Sequence, residues 1–186
     1  MNVESSGMET SFIVTFIGDD RPGLVEQLSS VIGAAGGNWQ ESRLTQLGGK
    51  FAGLVLVSLP TEKADSLEAE LKGLAASGLS VRVTPTGAHV ALAEARRIKL
   101  SVLGPDRPGI VLEISRALAR RHFNVVEMDS EVVSAPMSAE PMFEAMIEAD
   151  IAPEARLEEL SDALETIGND MLLEIDLEEI ISSPKG

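Results

Sequence analysis

Apolar positions along this chain follow two alternating rhythms, one of strands and one of helices. Phe12-Ile13-Val14-Thr15-Phe16-Ile17 is a short run rich in β-branched residues and predicts a buried strand. Leu24, Val25, Leu28, Val31, Ile32 and Ala35 then recur at steps of three and four, which predicts a helix with one apolar face. Pro22 is expected in its first turn, where a missing N–H costs nothing, and Gly36-Gly37 ends it. Asn38 to Leu47 and Phe51 to Leu59 read as strands joined at a Gly48-Gly49 hairpin. A second helix is expected from Pro60-Thr61, with Ala64, Leu67, Leu71, Leu74 and Ala75 inward and Gly78 at its end. Leu79 to Val83 completes the set as a fourth strand.

The same order then returns. Ile98 to Leu103 is a strand, and Ile110, Val111, Ile114, Ala117 and Leu118 line a helix. Asn124 to Val133 and Met142 to Glu148 are hairpin strands. Pro153 to Ile167 is a helix closed by Gly168, and Met171 to Leu177 is the last strand. One phrase fixes the register of the repeat. Gly18-Asp19-Asp20-Arg21-Pro22-Gly23-Leu24-Val25 reappears as Gly104-Pro105-Asp106-Arg107-Pro108-Gly109-Ile110-Val111. A domain-sized interval between copies indicates a duplicated module rather than a solenoid. The fold class is therefore α+β: two ferredoxin-like βαββαβ modules, each an antiparallel four-stranded sheet with both helices on one face.

The expected boundaries are a loose N-terminus at 1–10, a first module at 11–85, a linker at 86–96, a second module at 97–181 and a tail at 182–186. Both faces of the first strand are apolar, since Phe12, Val14 and Phe16 alternate with Ile13, Thr15 and Ile17. The helix-free side is thus expected to be covered by the other module or by a second chain, giving a homo-oligomer. The hairpin of the second copy differs from the first. Ser134 to Pro141, with two prolines and Met137, replaces the Gly-Gly turn and reads as a protruding contact segment.

Composition narrows the function. Hydrophobic residues make up 44% of 186 and aromatics only 3%, so aliphatic residues must build the cores. The absence of cysteine excludes disulfides, thiolate metal sites and cysteine nucleophiles. No basic leader and no membrane-length apolar run is visible, so the expectation is a cytoplasmic protein with no membrane partner. The net charge is −15, and residues 127–186 hold seventeen of the thirty acidic side chains against only Arg156 and Lys185. That imbalance disfavours direct nucleic-acid binding and suits either solubility or a docking face for a basic partner.

The repeated phrase is a strand-to-helix turn. Helix-start N–H groups have no intrahelical partner and lie at the positive end of the dipole, so Gly23 with Leu24, and Gly109 with Ile110, are placed to hold a carboxylate. Arg21 is expected at the N-cap, being biased toward extended backbone by Pro22. Asp20 and Asp106 either answer an ammonium or cap the helix. Gly23→Ala is expected to crowd a ligand while leaving the helix intact.

Asp20-Arg21-Pro22-Gly23 with Asn38, and Asp106-Arg107-Pro108-Gly109 with Asn124, resemble the ACT domain, a small amino-acid-sensing module. The resemblance spans essentially the whole chain as a tandem pair. It is most similar to the glycine cleavage system transcriptional repressor group, in which nothing else is attached. That resemblance implies ligand binding at contacts between modules, through Asp20, Arg21, Gly23, Leu24 and Asn38, and through Asp106, Arg107, Gly109, Ile110 and Asn124. It implies a small amino acid such as glycine as ligand, no cofactor, and contact with a transcriptional activator rather than with DNA. The alternative is a regulatory subunit docked on an enzyme of amino-acid metabolism. Two departures stand out: Asp19 becomes Pro105, and Gly36-Gly37 becomes His122-Phe123.

Catalytic constellations fail. His89 sits in the linker and His122 at a helix end, with no carboxylate spaced to complete a metal site or a triad. Glu154, Glu158, Asp162 and Glu165 follow a solvated helix face. Arg116, Arg120 and Arg121 lack the interleaved aromatics of a nucleic-acid site. Gly48-Gly49 precedes no Gly-Lys-Ser/Thr phosphate loop, and Trp39 reads as core or an intermodule contact.

Overall fold

A computed structural model describes residues 9–86, 96–135, 137 and 139–181. The expected 1–10 start (as far as residue 8), most of the 86–96 linker with His89, and the 182–186 tail lie outside the described residues. So do Pro136 and Ser138 of the long hairpin loop. The chain divides into two compact units, Met1–Val90 and Ala91–Gly186.

The first unit runs β1 (Glu9–Asp19), α1 (Leu24–Ala34), β2 (Asn38–Leu47), β3 (Lys50–Pro60), α2 (Ala64–Gly73) and β4 (Ser80–Pro85). Short 3-10 turns at Thr61–Lys63 and Leu74–Ser77 flank α2. The second unit runs β5 (Arg96–Pro105), α3 (Ile110–Arg120), β6 (Phe123–Ser134), β7 (Pro141–Ile151), α4 (Leu157–Met171) and β8 (Glu174–Ile181). The sheets have the orders β2-β3-β1-β4 and β6-β7-β5-β8, with every pairing antiparallel. This is the predicted βαββαβ architecture, twice.

Each core lies between one sheet face and its two helices. Val14, Phe16, Val55, Val57 and Leu59 meet Leu24, Leu28, Ile32, Leu67 and Leu71 in the first unit. Ile98, Leu100, Val102, Phe143 and Ile147 meet Ile110, Ile114, Leu118, Leu160 and Leu164 in the second. Burying side chains of this kind contributes about 1.5–3 kcal/mol each, which is why the period-three-and-four stripes decide the helices. Trp39 packs against the first core, half-buried. A register shift between Trp39 and Glu41 recurs between Val125 and Glu127, so both copies carry a bulge at the same place in the hairpin.

Three expectations about the last helix are corrected. It begins at Leu157 rather than Pro153, because Pro153-Glu154 form a turn and Arg156 is extended. It runs through Gly168 to Met171, and left-handed Leu172 closes it. Gly168 is there for close packing: a Cβ would lie 2.8 Å from the Leu173 carbonyl oxygen. The last strand accordingly begins at Glu174.

Candidate functional site

The repeated phrase begins where β1 meets the β2–β3 hairpin. Asp19 pairs in register with Lys50, whose ammonium donates to its carboxylate, and this bond holds the Asp19 carboxyl below its ordinary value. The Asp20 N–H donates to the Gly49 carbonyl at 3.1 Å. In the second copy the Asp106 N–H donates to the Pro141 carbonyl at 2.9 Å, so both turns are anchored to their own hairpin.

The chain enters α1 through Gly23, at φ 89° and ψ 0°, and enters α3 through Gly109, at φ 97° and ψ −7°. These glycines, not Arg21 and Arg107, are the N-caps, and Leu24 and Ile110 are the first helical residues. The expected start is displaced because the left-handed residue makes the reversal that drops Leu24 and Ile110 into the cores, and only glycine adopts that region without penalty. The expectation that Gly23→Ala is harmless is corrected on the same ground. A side chain at left-handed φ costs about 1–2 kcal/mol, even though open space surrounds both Cβ positions.

No side chain caps α1 or α3, so Asp20 and Asp106 do not act as caps. Asp20 instead accepts a hydrogen bond from the Gln46 amide at 2.5 Å. Because α2 and α4 also start without side-chain caps, bare N–H groups alone do not distinguish these turns. The first turn does border a cleft of about 310 Å³, lined by Asp20, Arg21, Gly23, Leu24, Val25, Glu26 and Phe51. Four of the five residues expected at this site thus share one concavity, together with three that sequence reasoning missed. The sequence pattern reads Phe51 only as a strand residue and Val25 only as part of the apolar stripe of α1.

Asn38 is not among them. It starts β2 opposite Ser58, whereas the turn lies beyond the Asp19–Lys50 row at the other end of the sheet. Eight residue steps of β3 separate the two rows, roughly 26 Å at strand rise. Asn124, opposite Asp150, is separated in the same way from the Pro105–Met142 row.

Arg21 points toward α2. Its Nη2 donates to the Gln27 side-chain oxygen at 3.0 Å and to the Ser77 carbonyl at 3.3 Å. Arg121 donates to the carbonyls of Glu159 at 2.8 Å and Ala117 at 3.2 Å and so ties α3 to α4. Arg116 pairs with Glu113 at 3.1 Å. His122 Nδ1 lies 4.0 Å from an exposed Glu154 oxygen. No group of three His, Cys, Asp or Glu among the described residues is arranged to hold a metal ion. No helix among them is long and apolar enough to cross a membrane.

The helix-free sheet faces differ in kind. In the first unit, strand alternation places Ile13, Thr15, Ile17, Ala52, Leu54, Leu56 and Ser58 there, with Ile17 49% and Leu54 48% exposed. In the second unit the same face gathers Glu127, Asp129 and Glu131 of β6, Glu144, Glu148 and Asp150 of β7, and Glu174, Asp176 and Glu178 of β8. Arg97 and Lys99 of β5 are the cations among them. Arg97 donates to Asp150 at 2.7 Å and lies 3.3 Å from Glu148.

Residues 10–84 and 98–165 each match the ACT domain. A protein of unknown role from Galdieria sulphuraria is 30% identical, with a TM-score of 0.78 over 94% of this chain and 100% of that one. A structure named for a glycine cleavage system transcriptional repressor, in a name that marks the assignment as provisional, has a TM-score of 0.67 at 20% identity. It covers 94% of this chain and 99% of its own. A UPF0237 protein from Methanopyrus kandleri is 36% identical over 78 residues, which is 42% of this chain and 86% of that protein. With both copies of the repeat matched and the sheet order met in each, this chain belongs to the ACT domain family and is a tandem ACT-domain regulatory protein.

Proposed function

We propose that this protein is a non-catalytic, amino-acid-responsive regulator that works by contact with another protein. The observation that carries the reading is the cleft at the first Arg-Pro-Gly turn. It is of a size for a small ligand, and free helix-start N–H groups lie beside the Asp20 carboxylate. The carboxylate of a small amino acid such as glycine meets the N–H groups of α1, and its ammonium meets Asp20. A ligand that also engages Asn38 takes that residue from a second copy of the chain, because one module holds its own turn and asparagine at opposite ends of the sheet. Asp106, Arg107, Gly109, Ile110 and Asn124 form the corresponding set in the second module.

The regulated process is glycine cleavage, repressed or co-regulated through a transcriptional activator. The neighbour named for that repression supports the reading by sharing the tandem arrangement over nearly its full length. The acidic helix-free face of the second module supports a basic protein surface as partner and disfavours phosphate backbones.

Titration calorimetry with free amino acids tests the reading. Glycine or another small amino acid is expected to bind and to raise the dimer fraction in sedimentation. If no free amino acid produces binding heat at millimolar concentration, the sensing function is refuted.

A further inference from the structure

We propose that the two repeated arginines have divided their roles: Arg21 is a positioning residue that latches the first turn to the end of α2, and Arg107 is the arginine left to meet a ligand carboxylate. The inference rests on the amino-acid-sensing reading and says which copy of the motif supplies a guanidinium.

The latch is a closed ring of hydrogen bonds. Arg21 donates to both the Gln27 side-chain oxygen and the Ser77 carbonyl. The Gln27 amide donates to the Ser77 hydroxyl at 3.0 Å, and that hydroxyl donates to the Leu74 carbonyl at 2.7 Å. The ring spans the place where the α2–β4 connection crosses the motif's first glycine, since a Cβ on Gly18 would lie 2.9 Å from Leu79 and 3.1 Å from the Gly78 oxygen. A guanidinium held by two acceptors at the end of α2 is not free to turn its fork toward a ligand carboxylate.

The second copy lacks the two side-chain donors that close that ring, the Gln27 amide and the Ser77 hydroxyl. Glu113 stands where Gln27 does, has no N–H to give, and pairs with Arg116. Left-handed Leu172 stands where Gly78 does, which puts Met171 in the place of Ser77. The junction itself is held by packing instead: a Cβ on Gly104 would lie 2.6 Å from Leu173 and 2.7 Å from the Leu172 oxygen, and the Leu173 N–H donates to Gly168 at 2.8 Å. Arg107 is half-buried and makes no hydrogen bond or ion pair with any described residue. It therefore keeps its whole fork of donors for a carboxylate seated at the start of α3, where bidentate pairing gives both strength and orientation.

The test uses the full chain, with glycine as the probe. Amide hydrogen exchange reads the latch. Arg21→Ala is expected to speed exchange at Gly78 and Leu79 about tenfold, with Arg21→Lys in between, because one ammonium replaces only part of the fork. Arg107→Ala should leave Leu172 and Leu173 within about twofold. Calorimetry reads the ligand: Arg107→Ala is expected to weaken glycine about tenfold, Arg107→Lys less, and Arg21→Ala by less than about threefold. Equal exchange effects in the two modules overturn the division, as does loss of glycine binding in Arg21→Ala with exchange at Gly78 unchanged. A wild-type chain that takes up no glycine refutes the sensing reading and the role of Arg107 with it. If glycine binds and Arg107→Ala leaves its affinity unaltered, only the division has failed.

Discussion

Replacing Gly104 with alanine tests the packing that positions the second turn. Gly104 opens the phrase one residue before the end of β5, and its missing side chain lets the α4–β8 connection pass. A new Cβ would lie 2.6 Å from Leu173 Cδ2, 2.7 Å from the Leu172 oxygen and 3.0 Å from the Leu173 Cα. Ordinary carbon contacts are about 3.5–4.0 Å, so the start of β8 must retreat by close to an ångström. Two of the three neighbours are backbone, and Leu173 is buried in the core, so no flexible chain end gives way. Overpacking of this kind costs about 1–3 kcal/mol, and drawing Leu173 partly out of the core adds about 1 kcal/mol more. The lower entropy of the unfolded alanine chain returns about 0.5 kcal/mol, which leaves a loss of roughly 2–3 kcal/mol. With a urea slope near 2 kcal/mol/M, the midpoint should fall by about 1–1.5 M. Urea unfolding followed by circular dichroism reads this change. Trp39, the single tryptophan and a residue of the first core, serves as an internal control whose fluorescence transition should stay in place. A Gly104→Ala midpoint within about 0.2 M of wild type would refute the packing argument.

Gly23→Ala and Gly109→Ala should each cost about 1 kcal/mol in the same titration, since the strain is backbone only, and asparagine at either position should cost less. Arg97→Ala removes the cation between Asp150 and Glu148, so a loss of about 1–2 kcal/mol is expected, and Asp150→Asn in that background should recover part of it. The Asp19 and Glu179 carboxyls lie below their ordinary values, chiefly through hydrogen bonds from Lys50 and Arg96. Their stabilisation is full above the unfolded values near pH 4 and is lost as the pH falls through the lower folded values, so Asp19→Asn should flatten the acid limb of stability against pH. With a net charge of −15, the melting temperature should rise as salt increases from about 0.01 to 0.15 M, and a fall would contradict net repulsion.

The architecture was legible because both periodicities are strong and occur twice. Leu24, Leu28 and Ile32 lie four apart and are all buried, while Val14 and Phe16 alternate with the more exposed Thr15 and Ile17. The helix starts were misjudged because Pro22 is a local signal, whereas left-handed Gly23 answers to where Leu24 must point, which is a tertiary demand. The same reason hid Gly168, whose role is set by Leu173 passing over it. Gln27, Gln46 and Ser77 carry no sequence signature at all. Each acquires a role through partners that are 6 to 56 residues distant in the Arg21 and Asp20 contacts. Of the expected set, the four turn residues that line one cleft come from a repeated phrase, but no spacing in a linear chain says that Asn38 lies at the far end of its own sheet.

The helix-free faces separate what folding requires from what it leaves open. By register, Ala52, Leu54, Leu56 and Ser58 of β3 correspond to Glu144, Met146, Glu148 and Asp150 of β7. On the flanking strands Arg43 corresponds to Asp129 and Arg82 to Asp176, so the sign of charge is reversed on both sides of the sheet. The topology and the helix-facing cores match in the two copies, so the ACT fold does not demand either surface. Glu131 opposite Glu144 and Glu127 opposite Glu148 work against the sheet, since like charges directly across a ladder are destabilising. A face with an apolar centre in one module and a carboxylate face in the other are therefore surfaces on which the duplicated halves differ independently of folding. The same divergence at the turns leaves Arg21 bonded and Arg107 without a hydrogen bond or ion pair to any described residue. The two modules of this tandem protein therefore share one fold and present different chemistry at the sheet face and at the turn.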